Sequence, residues 1–382
     1  MDRFSRAEVE TLLTGGVARG AFPGAVAMWG DPARPVPEPI LSGLRGRSRN
    51  AVAVMADLSY DLASLTKLLA STGLALLFFQ RGLLDLDEPL DSGPLARRLP
   101  AGRAPAADWS SITPARLLAH QSGLPPWRPL YRLGGQSLED RKNRALEAIW
   151  AETPEAEPGR RSIYSDLNFI LLGFLLEEIG GDGLDRLFQE HLATPLGLSA
   201  TFRPLKGPLA PTEDGFRYGG PVGHPQALWR GPVPLGQVHD DNAAWLGGVA
   251  GHAGLFAAAA DVWALAAQWA EAWREGRSRL FSGQALKIFT KPRPTLEDQG
   301  RSLGFNIKRE VAALKGSRLS GSAVGHLGYT GVSLWWEPEE SFVWLFLSNR
   351  VHLKAWNPAW VPADFVGGPS PTLSKNDWTS GP

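Results

Sequence analysis

The chain has 382 residues, 43% of them hydrophobic, and its 39 Lys and Arg balance 39 Asp and Glu. That length exceeds what one hydrophobic core usually fills, about 250–300 residues, so two lobes are expected, and a net charge of zero gives no support to nucleic acid or an anionic membrane as partner. Cysteine is absent, which excludes disulfides, thiolate metal sites and cysteine nucleophiles.

The first ten residues, Met1 to Glu10, carry no basic stretch followed by an apolar run, so no secretory leader is expected and the chain reads as cytoplasmic. Two short apolar runs, 23–30 and 51–55, are bounded by turn residues and predict an N-terminal hairpin. From Ser64 to about Arg81 the pattern is helical and free of proline, with Gly82 as its stop. The most apolar part, Leu68 to Phe79, is broken by Ser71, Thr72 and Gly73 and falls short of the ~20 residues a membrane span needs, so a buried helix is expected. Residues 85–245 mix helical segments (114–120, 137–151, 168–179 and 184–192) with loops rich in Pro, Gly and Trp, and predict a mainly helical lobe. An amphipathic helix over 261–275, with Asp261 as N-cap, follows. The runs 332–336 and 342–347, joined by Glu337-Pro338-Glu339-Glu340, predict an antiparallel pair. The tail, 356–382, is rich in Pro and Gly and lacks periodicity. The expected fold class is α/β of the α+β kind. Residues 1–84 and 246–355 form a central antiparallel sheet flanked by helices, 85–245 an inserted mainly helical lobe, and the two make one catalytic unit.

Ser64-Leu65-Thr66-Lys67 opens the first long helix. Positions i and i+3 share a helix face, so the hydroxyl and the amine can meet within one turn. Burial and the positive helix N-terminus both disfavour an ammonium, which predicts a lysine pKa lowered toward a value useful for a base. Read alone, the spacing fits a capping serine and a surface lysine better than a catalytic pair. Tyr164 stands at the mouth of an apolar helix in Ile163-Tyr164-Ser165-Asp166-Leu167-Asn168, where a tyrosine is commonly a packing residue. Gly325-His326-Leu327-Gly328-Tyr329-Thr330-Gly331 runs into a strand, where glycines let a ligand lie against the backbone or make a tight turn.

Together and in this order, the three motifs resemble those of the penicillin-recognising serine hydrolases. The resemblance is closer to the branch with class C β-lactamases, D-alanyl-D-alanine carboxypeptidases and related esterases, where a Tyr-x-Asn motif replaces Ser-Asp-Asn. Segments 112–125, 195–198, 247–256 and 347–352 match the same branch, so the resemblance spans roughly residues 8 to 352. It implies a β-lactamase/transpeptidase-like fold, Ser64 as acylated nucleophile, Lys67 as its activating partner and Tyr164 as proton shuttle. The backbone amides of Ser64 and Tyr329 would form the oxyanion hole, and Asp166, His326, Leu327 and Gly328 would line the substrate site. It implies no cofactor.

Two motifs depart from that pattern. His326-Leu327-Gly328 stands where β-lactamases carry Lys-Thr-Gly, which removes a permanent cation and a hydroxyl; weak recognition of free carboxylates is expected, favouring a neutral ester or amide. Asp166 stands where the branch carries Asn. It would either hold Lys67 charged, opposing the effect of burial, or N-cap the helix that begins near Asn168. His239-Asp240-Asp241 with His252 superficially suggests a metal, but those segments match the metal-free hydrolase pattern, so no metal site is expected. Trp127, Trp229 and Trp245 are candidates to line an acyl-binding cleft. The expected function is a serine hydrolase that forms an acyl-enzyme with a small-molecule ester or amide, with no nucleic-acid partner, no membrane span and an unassigned oligomeric state. The alternatives are a peptidoglycan-fragment amidase, a D,D-peptidase or β-lactamase, and, from another class, a non-catalytic ligand-binding or sensory protein.

Overall fold

The computed structural model describes residues 4–48, 50–100, 108–204, 207–213, 233–298, 301–311 and 317–352; Trp229 and the tail at 356–382 lie outside them. The strands are β1 (Gly24–Gly30), β2 (Ile40–Gly43), β3 (Tyr60–Asp61), β4 (Thr201–Phe202), β5 (Leu255–Ala257), β6 (Asn306–Ile307), β7 (Val324–Gly328), β8 (Val332–Glu337) and β9 (Phe342–Ser348). The helices are α1 (Arg6–Ala18), α2 (Gly73–Gln80), α3 (Pro114–Leu118), α4 (Leu138–Trp150), α5 (Asp166–Gly180), α6 (Leu184–Phe188), α7 (Thr194–Leu196), α8 (Asp241–Trp245), α9 (Ala259–Glu275) and α10 (Gly283–Thr290).

Among the described residues the larger sheet has the order β2-β1-β9-β8-β7-β6 and is antiparallel throughout. Pairing of β1 with β9 brings the two ends of the chain into one sheet. Strands β8 and β9 are buried along their whole length. Val332, Leu334, Trp336, Val343, Leu345 and Leu347 belong to the main core, while Trp335, Phe342, Trp344 and Phe346 belong to the cluster on the opposite face. Side chains alternate between faces, and both faces are covered, so each strand reads as an unbroken apolar run. Val9 and Leu13 of α1 cover one face, and that helix is fixed at its start by a capping box between Ser5 and Glu8. On the other face Trp269 of α9 packs on Trp336 with ring centroids 6.3 Å apart. Each such buried side chain contributes roughly 1.5–3 kcal/mol.

The predicted antiparallel pair at 332–347 is present as β8 and β9, and the predicted helices of the middle region as α3, α4, α5 and α6. Three local expectations are corrected. The run 51–55 is not a strand: it makes one bridge, Leu44 to Ala53, and β1 pairs with β2 instead. Val52 and Met55 are exposed and Val54 is the one buried residue of the run, too little of a buried face to fix a register. Helix α9 is capped by Ala258, not Asp261; the Asp261 carboxylate accepts from the backbone N–H and hydroxyl of Ser199 at 3.1 and 2.8 Å. Asp166 likewise is no cap, because Ser165 holds that position and Asp166 is the first residue of α5. No helix among the described residues is long and apolar enough to cross a membrane.

Candidate active site

The segment between β3 and α2 is built to hold Ser64 in place. Asp61 accepts hydrogen bonds from the backbone N–H groups of Ala63 and His239 at 2.9 and 2.7 Å, and its own carbonyl accepts from the Thr330 hydroxyl at 2.7 Å. Ala63, immediately before the nucleophile candidate, has φ of 45°, a left-handed conformation that costs a non-glycine residue about 1–3 kcal/mol and is stored at functional sites. From Tyr60 to Phe78 every residue is buried except Ser64. The chain then turns as a wide π-helical segment over Lys67–Thr72 before continuing as α2.

Lys67 is fully buried, and its ammonium donates to Ser64 Oγ at 2.8 Å and to the His252 carbonyl at 3.2 Å. It forms an ion pair with Asp166 Oδ1 at 2.7 Å. The Tyr164 hydroxyl donates to Ser64 Oγ at 3.0 Å. Burial pushes the lysine pKa down, but the Asp166 carboxylate and Tyr164 together outweigh burial, so the value lies above 10.5. The expected lowering is therefore reversed: Lys67 is an ammonium because a carboxylate stands where the resembling branch has an amide.

Around this centre His120 packs on Tyr164 with centroids 4.6 Å apart and the rings tilted by 35°, and accepts at Nδ1 from the Ser165 backbone N–H at 3.0 Å. Burial foremost, then the charges of Arg301 and Lys67, hold His120 neutral. His252 bonds through Nε2 to Asp240 Oδ1 at 2.8 Å. One ligand atom each from Asp166, Asp240 and His252 lies within 4.8 Å of the others. The Lys67 ammonium, in contact with Asp166 and the His252 carbonyl, already supplies positive charge there. His239 is engaged elsewhere, with Glu213 at 2.8 Å.

The glycine-flanked strand segment lies against the Ser64 turn. A Cβ on Gly328 would meet Val332 Cγ2 at 2.3 Å and the Leu62 carbonyl at 2.6 Å, so only glycine permits the approach. Strand β6 pairs with Val324 and Gly325 alone, which leaves the Leu327–Gly328 end of β7 without that neighbour. Tyr329 follows, half exposed, its ring stacked on His239 and covered by the Arg350 guanidinium at 4.9 Å. His326 is buried 5.8 Å from the Tyr164 ring, and its Nδ1 lies 2.6 Å from the Leu327 carbonyl. That carbonyl accepts a hydrogen bond from Nδ1–H, which keeps the proton on Nδ1 and leaves Nε2 as an acceptor. Burial first, then Lys67, pushes the His326 pKa down to about 3, so this position carries no cation. Leu327 packs with the cluster on the far face of the sheet.

Ser64, Lys67, Tyr164, Asp166 and His326 thus converge, while Leu327 turns away. Trp245 is a core residue whose indole donates to the Gly134 carbonyl at 2.8 Å, and Trp127 packs at the core margin beside Tyr131. Sequence reading assigned no role to His120 or Arg301. His120 sits within the matching segment 112–125, but Arg301 belongs to none of the motifs. Its guanidinium lies 5.3 Å from the Tyr164 ring centroid.

Comparison with known proteins gives a consistent result. The family model described as Beta-lactamase matches residues 9–363. A protein of Escherichia coli named "Putative D-alanyl-D-alanine carboxypeptidase" is 32% identical over 332 residues, which is 82% of this chain and 74% of that one. Among solved structures, EstCE1, described as a hydrolase with promiscuous acyltransferase activity, is similar with a TM-score of 0.70 and 22% identity, covering 90% of this chain and 93% of its own. A penicillin-binding protein homologue from Caulobacter crescentus is similar with a TM-score of 0.69 and 17% identity, covering 96% of each chain.

Proposed function

The chain belongs to the beta-lactamase family of serine hydrolases, and from that premise we propose that it cleaves a small acyl ester or amide through an acyl-enzyme on Ser64. The observation that carries the reading is convergence on one oxygen: Ser64 Oγ receives hydrogen bonds from both Lys67 Nζ and Tyr164 Oη and is the one accessible side chain of its segment. Ser64 Oγ attacks the carbonyl carbon, and its proton passes into the Tyr164–Lys67 pair. The oxyanion is stabilised by the backbone N–H groups of Ser64 and Tyr329, a contribution of about 3–4 kcal/mol per donor in comparable sites. Tyr164 then returns the proton to the leaving group. Water repeats the sequence, giving its proton to the same pair as the acyl–Ser64 bond breaks and the free acid leaves.

Lys67 enters this cycle as an ammonium, so the reactive form is one proton short of the resting one. His120, neutral and packed on Tyr164, holds the ring toward Ser64. The name of the Escherichia coli relative favours a second reading, cleavage of an amide at a D-alanyl-D-alanine terminus. Labelling with a fluorophosphonate and mapping the adduct tests the acyl-enzyme, with labelling of Ser64 expected and none in Ser64→Ala. An unlabelled Ser64 in folded protein refutes the proposal. A panel of p-nitrophenyl acyl esters, nitrocefin, N-acetylmuramyl-L-alanine and a D-alanyl-D-alanine peptide then separates the ester and amide readings.

A further inference from the structure

We propose that Asp61 and Thr330 are positioning residues that fix the separation of the two oxyanion donors, the backbone N–H groups of Ser64 and Tyr329, by tying the Ser64 turn to the turn after β7. The inference rests on the acyl-enzyme reading of Ser64 and on those two amides as its donors. They stand on segments far apart in the chain, and an oxyanion gains from both only if each lies about 2.7–3.1 Å from the same point. Misplacement by about 1 Å can cost about 10²-fold in rate, so something must hold the two segments in register.

Asp61 is buried at the end of β3, and all three of its oxygens accept hydrogen bonds. Oδ1 accepts from the Ala63 N–H at 2.9 Å, Oδ2 from the His239 N–H at 2.7 Å, and the backbone carbonyl from the Thr330 hydroxyl at 2.7 Å. The first bond stays within the nucleophile turn. It engages the N–H of Ala63 and holds that residue at its left-handed φ of 45°, while among the described residues no acceptor takes the next N–H, that of Ser64. The third bond crosses to the other donor. Gly331 donates to the Gly328 carbonyl at 3.0 Å and closes a turn whose two central residues are Tyr329 and Thr330, so the bond that fixes Thr330 fixes the Tyr329 amide with it. Thr330 is itself buried, and its carbonyl accepts from the Arg350 N–H at 3.0 Å. The second bond reaches the Tyr329 side chain, because the ring stacked on Tyr329 belongs to the same His239 whose N–H Asp61 holds. Asp61 therefore grips Tyr329 through Thr330 at the backbone and through His239 at the ring.

The test compares p-nitrophenyl acetate with its thionoester, in which sulfur replaces the carbonyl oxygen, in the wild type, Thr330→Val and Thr330→Ser. Sulfur is larger and accepts N–H hydrogen bonds weakly, so well-placed donors favour the oxygen ester. The ratio of kcat/KM for oxygen over sulfur reads their placement, and any loss of folded protein cancels. Thr330→Val keeps the shape and removes the hydroxyl; kcat/KM for the oxygen ester is expected to fall about 10- to 100-fold and the ratio about tenfold or more. Thr330→Ser keeps the hydroxyl and should keep most of the ratio. An unchanged ratio in Thr330→Val overturns the inference, whether both rates fall together, which makes Thr330 a packing residue, or neither falls. A ratio lost equally in Thr330→Ser overturns it as well, because the methyl group and not the hydrogen bond then matters. Asp61→Asn, which sets an amide donor against one of the two backbone N–H groups, is the second variant should Thr330→Val not fold, and an unchanged ratio there has the same force. Wild-type protein that labels at Ser64 but hydrolyses both esters alike refutes Ser64 and Tyr329 as oxyanion donors. Protein that neither labels nor turns over either ester refutes the acyl-enzyme reading, and this inference falls with it.

Discussion

Replacing Asp166 by Asn changes the charge of the site with almost no change of shape, and it restores the residue type of the resembling branch. Asp166 Oδ1 lies 2.7 Å from Lys67 Nζ. A bare Coulomb interaction at that distance is about 6 kcal/mol with an effective dielectric constant of about 20. Solvent reaches the Asp166 side chain, which is 18% exposed, and reduces the effect well below that bare figure. The sign follows from what remains. Asp166 favours the ammonium, burial opposes it, and removing the carboxylate leaves burial as the larger influence, so the Lys67 pKa falls. At a pH below that pKa, the reactive fraction rises about tenfold for each pH unit by which the pKa drops, partly offset by the weaker basicity of the pair. In the wild type, log kcat/KM for p-nitrophenyl acetate should climb with a slope near one through about pH 7–9 without a plateau. In Asp166→Asn the profile should bend over at lower pH, because the Lys67 pKa falls. Superimposable profiles, or a bend displaced upward, would refute the electrostatic account of Lys67.

Tyr164→Phe keeps the ring that packs on His120 and Arg301 but loses the hydroxyl 3.0 Å from Ser64, so turnover should fall by about 10²–10⁴ while fluorophosphonate labelling and thermal unfolding separate chemistry from folding. Turnover near the wild-type rate excludes Tyr164 as shuttle. His326 sets an acid limit on stability. Its folded pKa of about 3 lies below 6.5, so the unfolded chain takes up the proton first, and stability complete above pH 6.5 is lost as pH falls toward 3. By pH 5 the loss is about 2 kcal/mol from this group. His326→Gln should flatten the fall in the urea midpoint between pH 7 and 5, leaving the part due to the similarly buried, neutral His120; the same fall in variant and wild type would show that His326 does not set it.

What could be read from the chain and what could not divides by the range of the forces involved. Strands β8 and β9 were legible because every residue in them is buried and period two needs no distant information. Strand β2 was not, since Ile40 is its one buried residue and four residues carry too little pattern to outweigh the more apolar run at 51–55. At the site, the meeting of Ser64 with Lys67 follows from one helical turn, and Tyr164 was found through its motif. The protonation state of Lys67 was not fixed by that turn. Burial and the helix start argued for a neutral amine, but the decisive neighbours, Asp166 and Tyr164, arrive from a segment far along the chain.

The same asymmetry explains Arg301. A motif records residues that act within one segment, so the absence of lysine from His326-Leu327-Gly328 was read as the absence of a cation from the site. Charge acts through space, and a guanidinium carried in from the loop before β6 stands over Tyr164 from a position no local pattern marks. The two departures then have one physical consequence. Asp166 fixes the first cation of the site on Lys67, where it bears on the nucleophile, and His326 is left neutral, so the strand edge carries no cation.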